Sequence, residues 1–249
     1  IRQVVISTGQ HREMLDQVLS VFQIKPDYDL GLMLPGQTLA DMTARALQAL
    51  TPVLEKEKPD LVIAQGDTTT TFVASLAAFY AKARFGHVEA GLRTDEKFDP
   101  FPEEMNRRMT TRLTDFHYAP TELSKSNLLA EGIAEKDIRV TGNTVVDALR
   151  EVAARDYTFE DVALGEFVKR PGRLILVTMH RRENWGEPMQ AASQAIRQLV
   201  EDFPDVRIVF PMHRNPTVRE AVLPILSGHE RILLTEPLDY FPFVHVMKA

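Results

Sequence analysis

Short runs of apolar and β-branched residues, each bounded by polar or turn residues, recur along the whole chain. The runs are continuous rather than alternating, which is typical of strands buried on both faces of a parallel sheet. Stretches with helical periodicity lie between them, for example from Leu39 to Lys58. This alternation predicts an α/β fold with right-handed crossovers. We predict strands at Val4–Thr8, Leu61–Ala64, Arg84–Val88, Phe116–Ala119, Ile138–Thr141, Leu174–Thr178, Val206–Phe210 and Ile232–Thr235.

One segment interrupts this alternation and indicates a domain boundary. Residues 151–172 are rich in charged side chains, end in Pro171 and Gly172, and show weaker periodicity than their surroundings. A length of 249 residues suits one or two domains. We therefore predict an N-terminal Rossmann-like domain over 1–150, a linker over 151–172, and a partial C-terminal Rossmann-like domain over 173–249. Ligands of such sheets bind beyond the carboxyl ends of the strands, so we expect a cleft between the two domains.

Composition disfavours several classes of function. Lys and Arg number 29 and Asp and Glu number 35, and the resulting net charge of −6 disfavours binding to nucleic acids or anionic membranes. The chain has no cysteine, which excludes a thiolate nucleophile or a disulfide and fits a reducing cytoplasm. The patterns G-x-G, H-E-x-x-H and G-x-S-x-G are absent, so a dinucleotide fingerprint, a zinc site and a serine nucleophile have no support.

Ionisable residues follow the predicted strands directly, at the edge where open α/β sheets carry their sites. Asp67 and Glu89 follow the second and third strands, and His180 and His213 end two strands of the second domain. Each has a structural alternative. Asp67 can cap the next helix, Glu89 can pair with Arg93, and each histidine can be a structural group. Taken together, these groups at equivalent edges of two sheets are what an enzyme with a cleft requires.

A further pair of carboxylates lies at the start of a predicted helix. Glu103 and Glu104 follow Pro100 and Pro102 and fall in the first helical turn. Acidic side chains are favourable there because the helix dipole is positive at its N-terminus. Glu103 is therefore either a favourable end charge or another carboxylate of the site.

Characteristic segments follow one another along essentially the whole chain. They are TGQHREML (Thr8–Leu15), QGDTTTT (Gln65–Thr71), GHVEAGLRT (Gly86–Thr94), PFPEEMNRR (Pro100–Arg108), APTELSKSNLL (Ala119–Leu129), VTGNTVVDAL (Val140–Leu149), VTMHRREN (Val177–Asn184) and PMHRNPTVRE (Pro211–Glu220). In this order they resemble the bacterial UDP-N-acetylglucosamine 2-epimerases. The resemblance implies two Rossmann-like domains with parallel sheets that face each other across a cleft, the GT-B arrangement. The intact QHRE and HRRE strings resemble the non-hydrolysing class.

The chain departs from this family at both ends. Family members begin with a further strand and a loop of the type FGTRPEAxK, and they continue past the segment matching Tyr240–Ala249 into TDSGGxQEE. This chain starts at Ile1 and stops at Ala249. We therefore expect the first strand–helix unit and the rest of the C-terminal domain to be missing from it. Those segments would carry part of the phosphate- and uridine-binding apparatus.

The resemblance also implies roles for individual residues. The implied catalytic residues are Asp67, Glu89, Glu103 and His180. The implied substrate-binding residues are Asp67, Glu89, His180, Leu238 and Phe243, of which the last two match positions at the uridine.

A second ligand site is implied in the same way. Family members that keep UDP attached carry an activating UDP-N-acetylglucosamine site beside the first. The matching residues are Gln10, Glu103, Arg181 and His213. The resemblance further implies a homodimer in cell-surface polysaccharide biosynthesis. Together with the composition and the missing motifs, we expect a cytoplasmic protein with no metal and no cofactor.

The chemistry of the implied substrate restricts the mechanism. The C2 proton of the sugar is not next to a carbonyl, so its direct removal is prohibitively difficult. Elimination of UDP to a glycal and its re-addition avoid this, and they need acid–base groups on opposite faces of the ring and stabilisation of the leaving diphosphate. The sequence does not assign the acid and the base among the carboxylates. A hydrolysing epimerase, a GT-B glycosyltransferase and an inactive nucleotide-sugar-binding fragment stay open as alternatives.

Overall fold

The apolar runs of the sequence form the strands of this computed structural model, and the described strand pairs are all parallel. The predicted α/β class with parallel sheets is therefore confirmed. The chain divides into two compact units, Ile1–Asp147 and Ala148–Ala249. The residues that the structure describes are 1–9, 12–34, 36–179 and 185–249, and for 12–14 it describes the backbone alone.

The first unit holds two parallel sheets. Its strands are β1 (Ile6–Ser7), β2 (Tyr28–Asp29), β3 (Leu61–Gln65), β4 (Arg84–Val88), β5 (Phe116–Ala119) and β6 (Ile138–Val140). Its helices are α1 (Arg12–Val21), α2 (Leu39–Glu57), α3 (Thr69–Tyr80), α4 (Glu103–Leu113) and α5 (Glu122–Ala130), followed by α6 (Thr144–Ala154), which continues into the second unit. β1 pairs with β2, and the second sheet has the order β3-β4-β5-β6.

Helices α2 and α3 cover one face of the larger sheet. The period of apolar residues in α2 places Met42, Ala46 and Leu50 in one buried cluster with Val73 of α3 and Phe85 of β4. This cluster is the core that packs α2 and α3 against β4.

The second unit repeats the arrangement on a smaller scale. Its strands are β7 (Arg173–Leu176), β8 (Val206–Pro211) and β9 (Ile232–Thr235), in the order β7-β8-β9. Its helices are α7 (Val162–Lys169), α8 (Glu187–Asp202), α9 (Pro216–Leu226) and α10 (Tyr240–Lys248). No helix within the described ranges is both long and apolar enough to cross a membrane.

The segment that we interpreted as a linker, 151–172, carries a packed helix. Leu164 and Phe167 of α7 are buried in a cluster with Val209 of β8. The buried guanidinium of Arg207 donates hydrogen bonds to the carbonyl oxygens of Phe167 and Gly172, which places a positive charge at the C-terminus of α7. The segment therefore packs within the second unit, and its helix of eight residues is too short to give a strong periodicity.

Burial on both faces, which we expected of the strands, depends on their position in the sheet. The central strand β8 is buried from Val206 to Phe210, as expected. Strand β3 lies at the edge of its sheet, and its Ile63 is 58% exposed, so the expectation is wrong there. Strand β2 has no apolar run and was not predicted.

Candidate active site

The turns after β3 and β4 lie side by side at one edge of the sheet. The strands are in register, with Gln65 opposite Val88, so that Asp67 and Glu89 follow at nearly the same level. The backbone N–H of Gly66 donates to the carbonyl oxygen of Val88 at 3.0 Å, which joins the two turns directly. Parallel pairing thus brings together two carboxylates that lie 22 residues apart in the sequence.

Helix α4 holds Asp67. The Nη2 and Nε atoms of Arg107 donate to its Oδ2 at 2.7 and 3.0 Å, and Nδ2 of Asn106 donates to its backbone carbonyl oxygen at 2.9 Å. The N-cap of α3 is Thr68, whose Oγ1 accepts from the backbone N–H of Thr71 at 3.3 Å. The alternative in which Asp67 caps this helix is therefore wrong.

The backbone of Glu89 is in the left-handed region, with φ at 70°. A residue other than glycine adopts this conformation where the surrounding structure enforces it, often at functional sites. Its Oε1 accepts a hydrogen bond of 2.8 Å from Nδ2 of Asn143, whose Oδ1 accepts in turn from the N–H of Val145. Arg93 instead forms a two-pronged ion pair with Glu131, at 2.6 and 2.9 Å. The alternative of a structural pair between Glu89 and Arg93 is therefore wrong.

Glu103 and Glu104 lie in the first turn of α4, as predicted, but their environments differ. Glu103 is half-buried, whereas Glu104, which we did not select from the sequence, is fully buried. Nε of Arg108 donates to Oε1 of Glu104 at 2.8 Å, and the N–H of Thr94 and Nη1 of Arg107 donate to Oε2 at 3.2 and 3.1 Å. Burial acts to raise the pKa of Glu104, but these hydrogen bonds outweigh it and lower the pKa. The spacings of three and four residues on one helix are the signal that could have identified this cluster.

A buried histidine lies beneath the two turns. His87 of β4 donates from Nε2 to the carbonyl oxygen of Gly66 at 2.7 Å, since a carbonyl can only accept. Its Nδ1 is buried and has no hydrogen-bond partner within the described part of the chain. Burial lowers the pKa of His87 to about 4, so the ring is neutral at neutral pH. The sequence did not identify this residue, because it lies inside an apolar run.

Three of the described candidates belong to the second unit. His213, after β8, is exposed, and its Nδ1 accepts from the N–H of Asn215, the N-cap of α9. Leu238 is half-buried against the cluster around Phe167, and Phe243 is half-buried in the first turn of α10. The structure therefore shows where these three residues lie within the second unit.

The remaining candidates, Gln10, His180 and Arg181, lie outside the described residues. Within the described ranges there is no group of three or more His, Asp or Glu side chains that could hold a metal ion. The candidates that the structure brings together are thus Asp67 and Glu89 on adjoining turns, and Glu103 on the helix that binds Asp67.

The fold and these strand-end residues define an α/β protein with carboxylates gathered at the carboxyl edge of a parallel sheet. The family described as UDP-N-acetylglucosamine 2-epimerase matches residues 1–249. The chain belongs to this family, which confirms the resemblance noted in the sequence.

Individual relatives agree with this assignment. The chain is 50% identical to the UDP-N-acetylglucosamine 2-epimerase of Salmonella typhimurium strain LT2, over 98% of this chain and 66% of the relative. The crystal structure of the Neisseria meningitidis UDP-GlcNAc 2-epimerase bound to UDP-GlcNAc is similar with a TM-score of 0.85 and 46% identity, over 99% of this chain and 68% of that one. The Methanocaldococcus jannaschii UDP-GlcNAc 2-epimerase in complex with UDP-GlcNAc and UDP is similar with a TM-score of 0.69 and 30% identity, over 96% of this chain and 66% of that one. The chain spans 61% to 66% of the length of the curated relatives that it matches.

Proposed function

We propose that the protein interconverts UDP-N-acetylglucosamine and UDP-N-acetylmannosamine by inversion at C2. The observation that carries the proposal is the pair of carboxylates on adjoining turns, Asp67 and Glu89, in a chain of this family. Their partners differ, one being a guanidinium and the other an amide, which suits two different roles in one reaction. The related structures bound to UDP-GlcNAc or UDP support the substrate class.

The reaction that we propose is an elimination followed by an addition. A base takes the C2 proton while the bond between C1 and the diphosphate oxygen breaks, which leaves UDP and a glycal with a C1–C2 double bond. A proton then returns to C2 from the opposite face, and the diphosphate oxygen bonds to C1 again. No atom is gained or lost and no oxidant is needed, so the chemistry reduces to proton transfer and stabilisation of the leaving group.

We assign the reaction to a catalytic set of four residues. Glu89, paired with a neutral amide, is suited to take up and return a proton, and Asp67 to orient the sugar or a reacting proton. The whole set is Asp67, Glu89, Glu103 and His180.

Further parts of the proposal concern binding and assembly. Leu238 and Phe243 would contact the uridine, and the activating UDP-N-acetylglucosamine would bind at a second site with His213. The remaining residues assigned to that second site are Gln10, Glu103 and Arg181. The proposal includes a homodimer and a cytoplasmic location, the latter because a chain without cysteine fits a reducing compartment.

Proton NMR of UDP-N-acetylglucosamine incubated with the protein in deuterium oxide tests the proposed reaction. We expect UDP-N-acetylmannosamine with deuterium at C2 and with UDP still attached. Free N-acetylmannosamine and UDP would instead indicate the hydrolysing alternative, and turnover only with an added acceptor would indicate a transferase. Binding without proton exchange would overturn the proposed function.

A further inference from the structure

One guanidinium on α4 joins two carboxylates of the first unit. Arg107 donates Nε and Nη2 to Oδ2 of Asp67 and Nη1 to Oε2 of Glu104. Arg107 is itself largely buried, with 12% of its side chain exposed. Buried charges are stable only when each has oppositely charged or hydrogen-bonding partners. Here the side chain of Arg107 is such a partner for two carboxylates.

We infer that Arg107 is a positioning residue for Asp67, and that Glu104 positions Arg107. The inference rests on the proposed function, since it assigns a purpose to the contacts of a proposed catalytic carboxylate. Neither Arg107 nor Glu104 contacts the reacting atoms in this assignment. Both act through Asp67.

The geometry determines what this positioning achieves. Two donors converge on Oδ2, while Oδ1 of Asp67 receives no hydrogen bond from any residue that the structure describes. One oxygen is therefore anchored and the other is left for a ligand. Asn106 fixes the backbone carbonyl of Asp67 from the same helix, so α4 controls both the main chain and the side chain. Misplacement of a reacting group by about 1 Å is enough to cost about 100-fold in rate.

Glu104 keeps Arg107 in the required rotamer. Its Oε1 is taken by Arg108 and its Oε2 by Thr94 and Arg107, so the carboxylate is held from three directions. Burial opposes its ionisation, yet the pKa of Glu104 is lowered by the hydrogen bonds it accepts. The carboxylate of Glu104 therefore gives the guanidinium of Arg107 a second fixed partner beside Asp67.

The test uses Arg107→Ala and Arg107→Lys, assayed by C2 exchange, with Arg112→Ala as the matched control. Arg112 lies on the same helix, but it is exposed, and within the described part of the chain its side chain bonds only the carbonyl oxygen of Glu131. For Arg107→Ala we expect kcat to fall about 100-fold with KM nearly unchanged, because orientation rather than binding is lost. Arg107→Lys should recover only part of this, since an ammonium cannot reproduce the planar fork. The control should keep its kcat.

Chemical rescue separates positioning from simple structural support. Added guanidinium at millimolar concentration should raise kcat of Arg107→Ala about tenfold, with no effect on Arg107→Ala combined with Asp67→Asn. A wild-type kcat in Arg107→Ala would overturn the inference, as would a loss that guanidinium does not restore in a variant that melts like the wild type. If Arg107→Ala does not fold, Arg107→Lys decides the question: an unchanged kcat overturns the inference and a reduced kcat at unchanged KM supports it. Absence of exchange in the wild type would overturn the proposed function itself, and this inference with it.

Discussion

Asp67 and Glu89 follow neighbouring strands, yet the protein holds them in opposite ways. Asp67 is held through its side chain by the guanidinium of Arg107. Glu89 accepts a hydrogen bond from the neutral amide of Asn143, and its backbone takes up a left-handed conformation. The comparison teaches that a carboxylate can be fixed either by a charged partner that bonds its side chain or by the packing that holds its backbone.

The backbone around Glu89 is fixed by a close approach of two segments. Gly91 has φ at 89°, and a Cβ atom on it would lie 2.2 Å from the carbonyl oxygen of Ser124 in α5. Only glycine fits at such a contact. The turn of Glu89 is therefore held by close packing of the backbone, and among the described residues no cation bonds the carboxylate of Glu89.

The largest effect should come from the carboxylates themselves. We expect Asp67→Asn and Glu89→Gln each to reduce turnover by about 100-fold to 10,000-fold, the usual contribution of a positioned acid or base. Glu103→Gln and His180→Asn should reduce it by at least about 100-fold for the same reason. The rate of deuterium incorporation at C2 measures this. Wild-type rates in all four variants would contradict the site assignment.

Thermal melting of the same variants sharpens the comparison. Asp67→Asn removes one of the two carboxylates that the largely buried Arg107 bonds, so it should lower the melting temperature more than Glu89→Gln does. Glu135→Gln is the control for both, because this glutamate pairs with Lys125 on the surface. It should leave activity unchanged.

The next largest effect tests the rigid turn of Glu89. Gly91→Ala combines a disfavoured φ with a backbone clash, so we expect a loss of about 3 kcal/mol in the free energy of unfolding. Urea denaturation measures this, with Gly142→Ala as the comparison. Gly142 also has a positive φ, but a Cβ there meets nothing within 4 Å. Equal losses in the two variants would mean that the close approach to Ser124 has no effect.

A smaller effect concerns His87, which bonds the turn of Asp67 from the strand of Glu89. Burial, followed by the nearby charges of His117 and Arg93, lowers its pKa to about 4, while Gly66 and Asp67 oppose the shift. The unfolded chain has the ordinary value of 6.5, so between pH 6.5 and pH 4 it binds a proton that the folded chain does not. Stability is therefore complete above this window and falls as the pH falls through it, by about 2 kcal/mol between pH 7 and pH 5.

The variant His87→Gln isolates this contribution. Glutamine keeps an N–H donor for the carbonyl oxygen of Gly66 but cannot take up a proton. Between pH 7 and pH 5, the free energy of unfolding of the variant should fall less than that of the wild type. The difference between the two falls should be about 2 kcal/mol. His117 also has its pKa lowered by burial, but it is present in both proteins and cancels in the difference. If the free energies of unfolding of the two proteins fell in parallel with pH, a neutral, buried His87 would be contradicted.

The smallest effect should come from Asn143→Ala. It removes one hydrogen bond to a charged group, so we expect kcat/KM to fall about tenfold. Asn143→Asp should cost more, because it places a second carboxylate against Glu89. Steady-state kinetics shows which of the two variants loses more in kcat/KM. A larger loss in the alanine variant would show that the amide has a role beyond its contact with Glu89.

Strand positions and strand ends could be predicted, whereas side-chain partners could not. Strand β4 has its predicted bounds because a continuous apolar run marks a buried parallel strand, and the strand-end rule singles out Asp67 and Glu89. The partner of Asp67 lies 40 residues away and that of Arg93 lies 38 residues away. Such residues come together only through the packing of α4 and α5 on the sheet. A local sequence pattern therefore cannot predict their contacts.

The loop before α4 is closed at its base. The backbone N–H of Thr94 bonds Glu104, and Oγ1 of Thr94 donates to the carbonyl oxygen of Asp99 at 2.5 Å, while Phe98 and Phe101 project into solvent at the tip. A loop with a fastened base can change its length and composition at little entropic cost to the rest of the molecule. A change at the exposed Phe98 should therefore leave the hydrogen bonds at the base of this loop, and with them the position of Glu104, in place.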